Sequence, residues 1–201
     1  MQNDPLSPSD ADIVRQVLGG DVNAFESLLA RHKVLVLKIV TRHVPRQDVE
    51  ETAQEAFVRA YLSLPTFAGR SDFSQWLSSI AVRTCYDFWR KAYRSREIPM
   101  SAVTDKHRDW LESVLSGESE ASLREDTSRS EAKALLEYAL ASLSAEDRMV
   151  LELIYLEGRS VKEAAGLLGW TTANVKVRSF RSRRKLEKLL KGIRRQERRA
   201  S

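Results

Sequence analysis

The chain has 201 residues with a net charge of +5, from 33 Lys and Arg against 28 Asp and Glu, and it is 42% hydrophobic; these are ordinary values for a soluble protein of one large domain or two small ones. A single cysteine, Cys85, excludes an internal disulfide framework and any multi-cysteine metal site, three scattered histidines (His32, His43, His107) argue against a histidine cluster, and 8 Gly with 5 Pro are too few for a turn-rich all-β fold. Apolar runs such as Val34–Leu37 fall far short of a membrane span, and the acidic start Met1–Asp10 is the opposite of a signal peptide, so the expectation is an all-α cytoplasmic protein without metal or cofactor.

Asp10–Leu18 reads as a short amphipathic helix ended by Gly19 and Gly20. Asp21 is expected to cap a long helix with Phe25, Leu28, Val36 and Val40 on its apolar side, His32 and His43 at polar positions, and Pro45 as its stop. Asp48 is expected to cap the next, in which Ala53, Ala56, Phe57, Ala60 and Leu64 recur at helical spacing. After Pro65 and a loop containing Gly69, a fourth helix runs from Phe73 to about Arg94, with Leu77, Ile80, Ala81 and Phe88 on one side and Cys85 next to that face as a buried thiol. The stretch 95–130 holds Pro99, Gly117 and several Ser and Thr; it reads as a flexible linker with a short helix near Lys106–Leu115, or else as a loop inside a domain. A second helical block follows: Ser130–Ala141, a helix opened by Ser144 with Asp147 as an approximate capping box and ended by Gly158, then Ser160–Leu168 with a full S-x-x-E box at Ser160 and Glu163, and a last long helix from about Thr172.

Charge is uneven along this order. Residues 1–100 carry 13 basic and 12 acidic groups (+1), 101–131 carry 4 and 8 (−4), and 132–201 carry 16 and 8 (+8). Two helical domains, 1–97 and 131–201, separated by an acidic linker at 98–130, fit this partition, with the basic end facing nucleic acid.

Three constellations stand out, and none is a catalytic set: no Walker-type lysine follows Gly19-Gly20, and the carboxylates are dispersed. A short helix, a turn at Gly169 and a helix from Thr172 have helix-turn-helix spacing, which places the second helix's first turns in a major groove. There Val175 is expected to face the core, Lys176, Val177, Phe180 and Arg181 the base edges, and Arg178, Arg183, Arg184, Lys185 and Lys188 the phosphates; a solvated basic helix capping a bundle is the plainer alternative. On the helix after Asp48, the face bearing Glu51, Gln54, Glu55 and Arg59 suits docking of a basic partner helix, or simply an acidic first turn and a Glu55–Arg59 pair. On the fourth helix, Arg83, Asp87, Arg90 and Arg94 share a stripe flanked by Tyr86, Trp89 and Tyr93, with Trp76 nearer the loop. Aromatics beside arginines suit stacking of unpaired bases, unless the aromatics are core and the arginines snorkel out.

The whole chain resembles an extracytoplasmic-function (ECF) sigma factor of the bacterial sigma-70 family. The resemblance rests on Ala24-Phe25-Glu26-Ser27-Leu28-Leu29, on the run from Asp48 to Tyr61, on Phe73 through Trp76-Leu77 and Ile80–Thr84, and on Leu156-Glu157-Gly158-Arg159-Ser160 before the helix-turn-helix. It implies a promoter-specificity subunit with no catalysis of its own. Asp48, Glu51, Gln54, Glu55 and Arg59 would dock on the clamp helices of the largest subunit of core RNA polymerase, and the helix-turn-helix domain would sit on the polymerase flap. Phe67, Gly69, Arg70, Ser71, Phe73, Trp76, Arg83, Asp87 and Arg90 would read and melt the −10 promoter element. Thr172, Asn174, Lys176, Val177, Arg178, Phe180, Arg181, Arg183 and Arg184 would read the −35 element. An anti-sigma factor is the further implied partner. Ser179 stands where the family usually has Leu or Ile; its hydroxyl would bond back to the Val175 carbonyl or leave a weaker core. From the residues alone, a stand-alone dimeric helix-turn-helix regulator is the second reading and a helical enzyme with an accessory DNA domain the third.

Overall fold

The structure is a computed structural model, and it describes residues 8–95, 139–140 and 142–200. Every element among the described residues is helical. The expected linker, the short helix near Lys106–Leu115 and most of the Ser130–Ala141 helix lie outside the described residues; Ala139 and Leu140 are helical. The chain forms two compact units, one of residues 1–89 and 159–172, the other of 90–158 and 173–201.

In the first unit, α1 (Asp10–Leu18) starts at Ser9, whose hydroxyl accepts from the Asp12 amide while the Asp12 carboxylate accepts from the Ser9 amide, a reciprocal capping box. It stops at Gly19, and Gly20 takes φ +106°. Asp21 and Asp48 make no side-chain cap, contrary to expectation. A cap needs extended backbone so that the side chain can turn back on the helix. Asp21 (φ −81°, ψ 81°) instead opens a 3-10 turn at Val22–Ala24, and Asp48 (φ −99°, ψ −2°) ends one at Arg46–Asp48. These turns lead into α2 (Phe25–His43) and α3 (Val49–Ser63). A further 3-10 turn at Leu64–Thr66 and a loop with Gly69 in the left-handed region (φ +65°) lead to α4 (Phe73–Ser95).

Ile13 and Val14 of α1, Leu28, Val36 and Val40 of α2, and Leu77, Ala81 and Cys85 of α4 are buried. So are Ala53, Ala56 and Ala60 of α3, small residues where α2 and α3 pack together. His32 and His43 correct the sequence reading, being 8% and 2% exposed rather than at polar surface positions. His32 tolerates burial because its Nε2 lies 2.9 Å from Asp10 Oδ2, on α1. At His43 the backbone carbonyl accepts the Trp89 indole N–H at 2.7 Å, tying the end of α2 to α4.

In the second unit, Ser144 caps α5 (Ala145–Leu151), which continues as a π-helical turn at Glu152–Leu156 and stops at Gly158 (φ +68°). Only half of the expected box forms here: the Ser144 hydroxyl accepts from the Asp147 amide, while the Asp147 carboxylate is engaged elsewhere. Leu140, Leu143 and Leu151 form a core against which Leu186 and Leu189 pack. Arg148 and Glu152 form a buried pair one helical turn apart at 2.7 Å. The segment 159–172 belongs to the first unit and holds α6 (Val161–Leu168), with the full Ser160–Glu163 box and Gly169 as its left-handed C-cap (φ +71°). The last helix, α7, spans Thr172–Ala200.

Leu28, at 1% exposure, should be a sensitive core position: Leu28→Ala is expected to cost about 2–5 kcal/mol in chemical unfolding. Leu62→Ala, at a site 70% exposed, should stay within about 0.5 kcal/mol.

Candidate nucleic-acid and protein interfaces

Three helix faces carry the candidate residues. On α3 the inward stripe is Thr52, Ala53, Ala56, Phe57 and Ala60, which leaves Glu51, Gln54 and Glu55 exposed on the outside and Asp48 half-buried before the first turn. Arg59 does more than pair along its own helix. Its Nε donates to Glu55 Oε1 at 2.8 Å and its Nη1 to Asp87 Oδ2 at 2.6 Å, so it joins α3 to α4 and a docking candidate to a strand-opening candidate. Burial alone would pull the guanidinium pKa down; the bonds to Glu55 and Asp87 outweigh it and hold the group firmly charged. Val58, Tyr61 and Leu62 lie exposed further along the same helix, apolar surface that sequence reading overlooked.

At the start of α4, Phe67, Phe73 and Trp76 gather into one aromatic cluster, with ring centroids 5.2–5.5 Å apart. Phe73 is only 4% exposed and rests on the His32 ring at 5.2 Å, so it backs the cluster, while Phe67 and Trp76 are half-buried. Gly69, Arg70 and Ser71 are exposed in the loop above. His32 was not foreseen here; its signal, a histidine one helix away, has no local pattern. Arg83 is turned away from the aromatics: its Nε donates to the Leu167 carbonyl at 3.2 Å, in the last turn of α6, where helix carbonyls favour a cation. Arg90 is exposed.

On α7, Val175 is fully buried as expected, and Thr172, Asn174, Lys176, Val177, Phe180, Arg181, Arg183 and Arg184 are exposed. Val177 and Phe180, one turn apart, are each about half exposed (51% and 52%), and the Arg184 guanidinium lies 4.7 Å from the Phe180 ring centre. Ser179 does not bond back to its own helix; its hydroxyl reaches the Tyr155 hydroxyl at 3.2 Å, so the polar residue is buried with a partner. Arg178 and Lys185, expected at phosphates, both point to one carboxylate. Asp147 Oδ1 accepts from Arg178 Nη1 at 3.1 Å and from Ser182 Oγ at 2.8 Å, and Oδ2 accepts from Lys185 Nζ. Asp147 is 2% exposed. Burial would raise its pKa, but the bonds from Lys185 and Ser182 and the two positive charges hold it below the ordinary aspartate value.

Comparison with known proteins places the chain in a family. Residues 28–95 match the family model for Sigma-70 region 2 and residues 133–186 that for Sigma-70 region 4. The chain is 33% identical over 180 residues to the ECF RNA polymerase sigma-E factor of Escherichia coli strain K12, covering 89% of this chain and 93% of that one. It is 30% identical over 185 residues to the RNA polymerase sigma-H factor of Pseudomonas aeruginosa, covering 92% and 95%. Among solved structures, CnrH in complex with the cytosolic domain of CnrY is similar, with a TM-score of 0.51 and 26% identity over 92% of this chain and 99% of that chain. The chain therefore belongs to the ECF sigma factors of the sigma-70 family. This is a family of transcription initiation factors that bind core RNA polymerase and promoter DNA, not of enzymes. No helix among the described residues is long and apolar enough to cross a membrane.

The Asp147 carboxylate makes stability acid-sensitive in a defined direction. Its folded pKa is depressed, so its contribution is complete above the unfolded value near 4 and is lost as pH falls through the lower folded value. Asp147→Asn should lower the unfolding free energy at pH 7 by about 1–3 kcal/mol. In unfolding curves, the gap to the native chain should begin to narrow below about pH 4 and close only once the pH passes below the depressed folded value.

Proposed function

We propose that this sigma factor directs core RNA polymerase to promoters through two domains, residues 1–97 and 131–201, joined by the acidic linker 98–130. On this reading the exposed Glu51, Gln54 and Glu55 of α3, with Arg59 holding Glu55 in place and Asp48 at the helix start, dock on the clamp helices of the largest polymerase subunit. Phe67 and Trp76, backed by Phe73 and flanked by Gly69, Arg70 and Ser71, hold an unpaired base of the −10 element, with Arg90 on a backbone phosphate. Arg83 and Asp87 orient this surface from below, through α6 and Arg59. The observation that carries the proposal is the gathering of Phe67, Phe73 and Trp76 into one cluster beside an exposed basic loop. The rings meet edge-on or tilted, and the half-buried Phe67 and Trp76 keep ring surface open that suits stacking with a base, next in sequence to a loop with exposed Arg70 and Ser71.

The −35 element then meets α7. Val177 and Phe180 present apolar surface suited to thymine methyls, Lys176 and Arg181 reach base edges, Arg183 and Arg184 the phosphates, and Thr172 and Asn174 the backbone at the helix start. Each domain holds DNA weakly by itself; joined on polymerase, the two raise each other's effective concentration. The site of action is the cytoplasm, where the polymerase works, and an anti-sigma factor is the regulator. CnrH, the similar solved structure, was captured with the cytosolic domain of CnrY.

Run-off transcription with purified core polymerase and a promoter library tests the proposal. Transcripts should depend on this chain. Glu55→Lys should weaken core binding while the circular dichroism spectrum stays helical. Arg181→Ala should cost about 1–3 kcal/mol at a single −35 position. Transcription indifferent to the chain, with tight polymerase-free binding to a palindrome, would favour a dimeric regulator instead.

A further inference from the structure

Phosphate-binding cations on a recognition helix strengthen binding to every sequence equally, so a promoter reader gains selectivity when fewer of them face the backbone. Between Lys176 and Lys188, α7 carries Lys176, Arg178, Arg181, Arg183, Arg184, Lys185 and Lys188. Two of them, Arg178 and Lys185, are held by Asp147. Asp147 comes from the first turn of α5, far away in sequence, and its carboxylate is nine-tenths buried or more, at 2% exposure.

We propose that Asp147 is a positioning residue that takes Arg178 and Lys185 out of the phosphate-binding set and fixes the rotation of α7, so that Val177, Phe180 and Arg181 carry sequence recognition. This rests on the −35 reading above. An exposed ion pair would be traded for a phosphate at little cost. Here the two cations keep solvent exposure (Arg178 34%, Lys185 59%), but the carboxylate they hold is 2% exposed, so leaving for DNA means stripping partners from a buried charge. Ser182, fully buried, adds a third bond to Asp147 from the same helix, so three residues spanning two turns of α7 converge on one point. That three-point attachment fixes how far α7 can rotate about its axis. An open groove of about 590 Å³ beside it is lined by Asp147, Asn174, Val177, Arg178, Arg181 and Lys185, so the pinned cations stand alongside the reading residues.

The salt dependence of DNA binding separates pinned cations from phosphate contacts, because each phosphate contact adds about 0.9 to the slope of log K against log salt concentration. The full chain is titrated by fluorescence anisotropy onto a scrambled duplex and onto its selected −35 duplex across a range of KCl. Lys185→Gln should leave the slope unchanged, whereas Arg184→Gln should reduce it by about 0.9. Asp147→Asn should steepen it by about 0.9–1.8 and tighten binding to the scrambled duplex by about fivefold or more near 0.1 M salt, narrowing the ratio between the two duplexes. If Asp147→Asn does not fold, the comparison of Lys185→Gln with Arg184→Gln decides alone. A slope that falls equally in those two variants, an unchanged slope in a folded Asp147→Asn, or a native chain that binds neither duplex at low salt overturns the proposal. Failure of the sigma reading is seen separately, as an absence of chain-dependent transcripts with core polymerase whatever the slopes.

Discussion

Each working helix of this protein must bury one stripe and offer another, and that division fixes where function can lie. An α-helix repeats every 3.6 residues, so a residue on the core stripe cannot also meet a partner. On α3, Ala53, Ala56 and Ala60 take the core, which leaves Gln54 and Glu55 outward. On α7, Val175, Ser179 and Ser182 take it, which leaves Lys176, Val177, Phe180 and Arg181 outward. The candidate faces are the complement of the packing faces, and a change of helix rotation would exchange one for the other.

Rotation is accordingly held by polar contacts that packing alone does not supply. Aliphatic contacts are non-directional and tolerate sliding, whereas a buried carboxylate that must receive its donors does not. In the second unit Asp147 plays this part for α7. In the first unit Arg59 bridges Glu55 and Asp87, His32 pairs with Asp10 beneath the Phe67–Phe73–Trp76 cluster, and the Trp89 indole binds the His43 carbonyl. In both units polar bonds between residues distant in sequence join the helices that carry the candidate surfaces.

That pattern also explains what was legible in the sequence. Local signals read well. Gly19, Gly158 and Gly169 mark helix ends, Ser160 and Glu163 the capping box, Val175 a core position and Cys85 a buried one, because each depends on spacing along one helix. Caps at Asp21 and Asp48 were misread because 3-10 turns satisfied the same backbone groups first. His32 and His43 were misread as surface, and the bonds from Arg178 and Lys185 to Asp147 went unseen, because the partners Asp10, Trp89 and Asp147 lie 22 to 46 residues away, where helical periodicity carries no information. The family resemblance named the candidate surfaces; the residues packed against them came only from the folded chain.

Site-specific photocrosslinking within the transcription initiation complex tests the central claim that α3 and α7 present separate faces to separate partners. A crosslinker placed at Gln54 should attach to the largest polymerase subunit and one at Val177 to the −35 DNA, in the same complex. Crosslinks from Gln54 to DNA, or from Val177 to protein alone, would contradict the account.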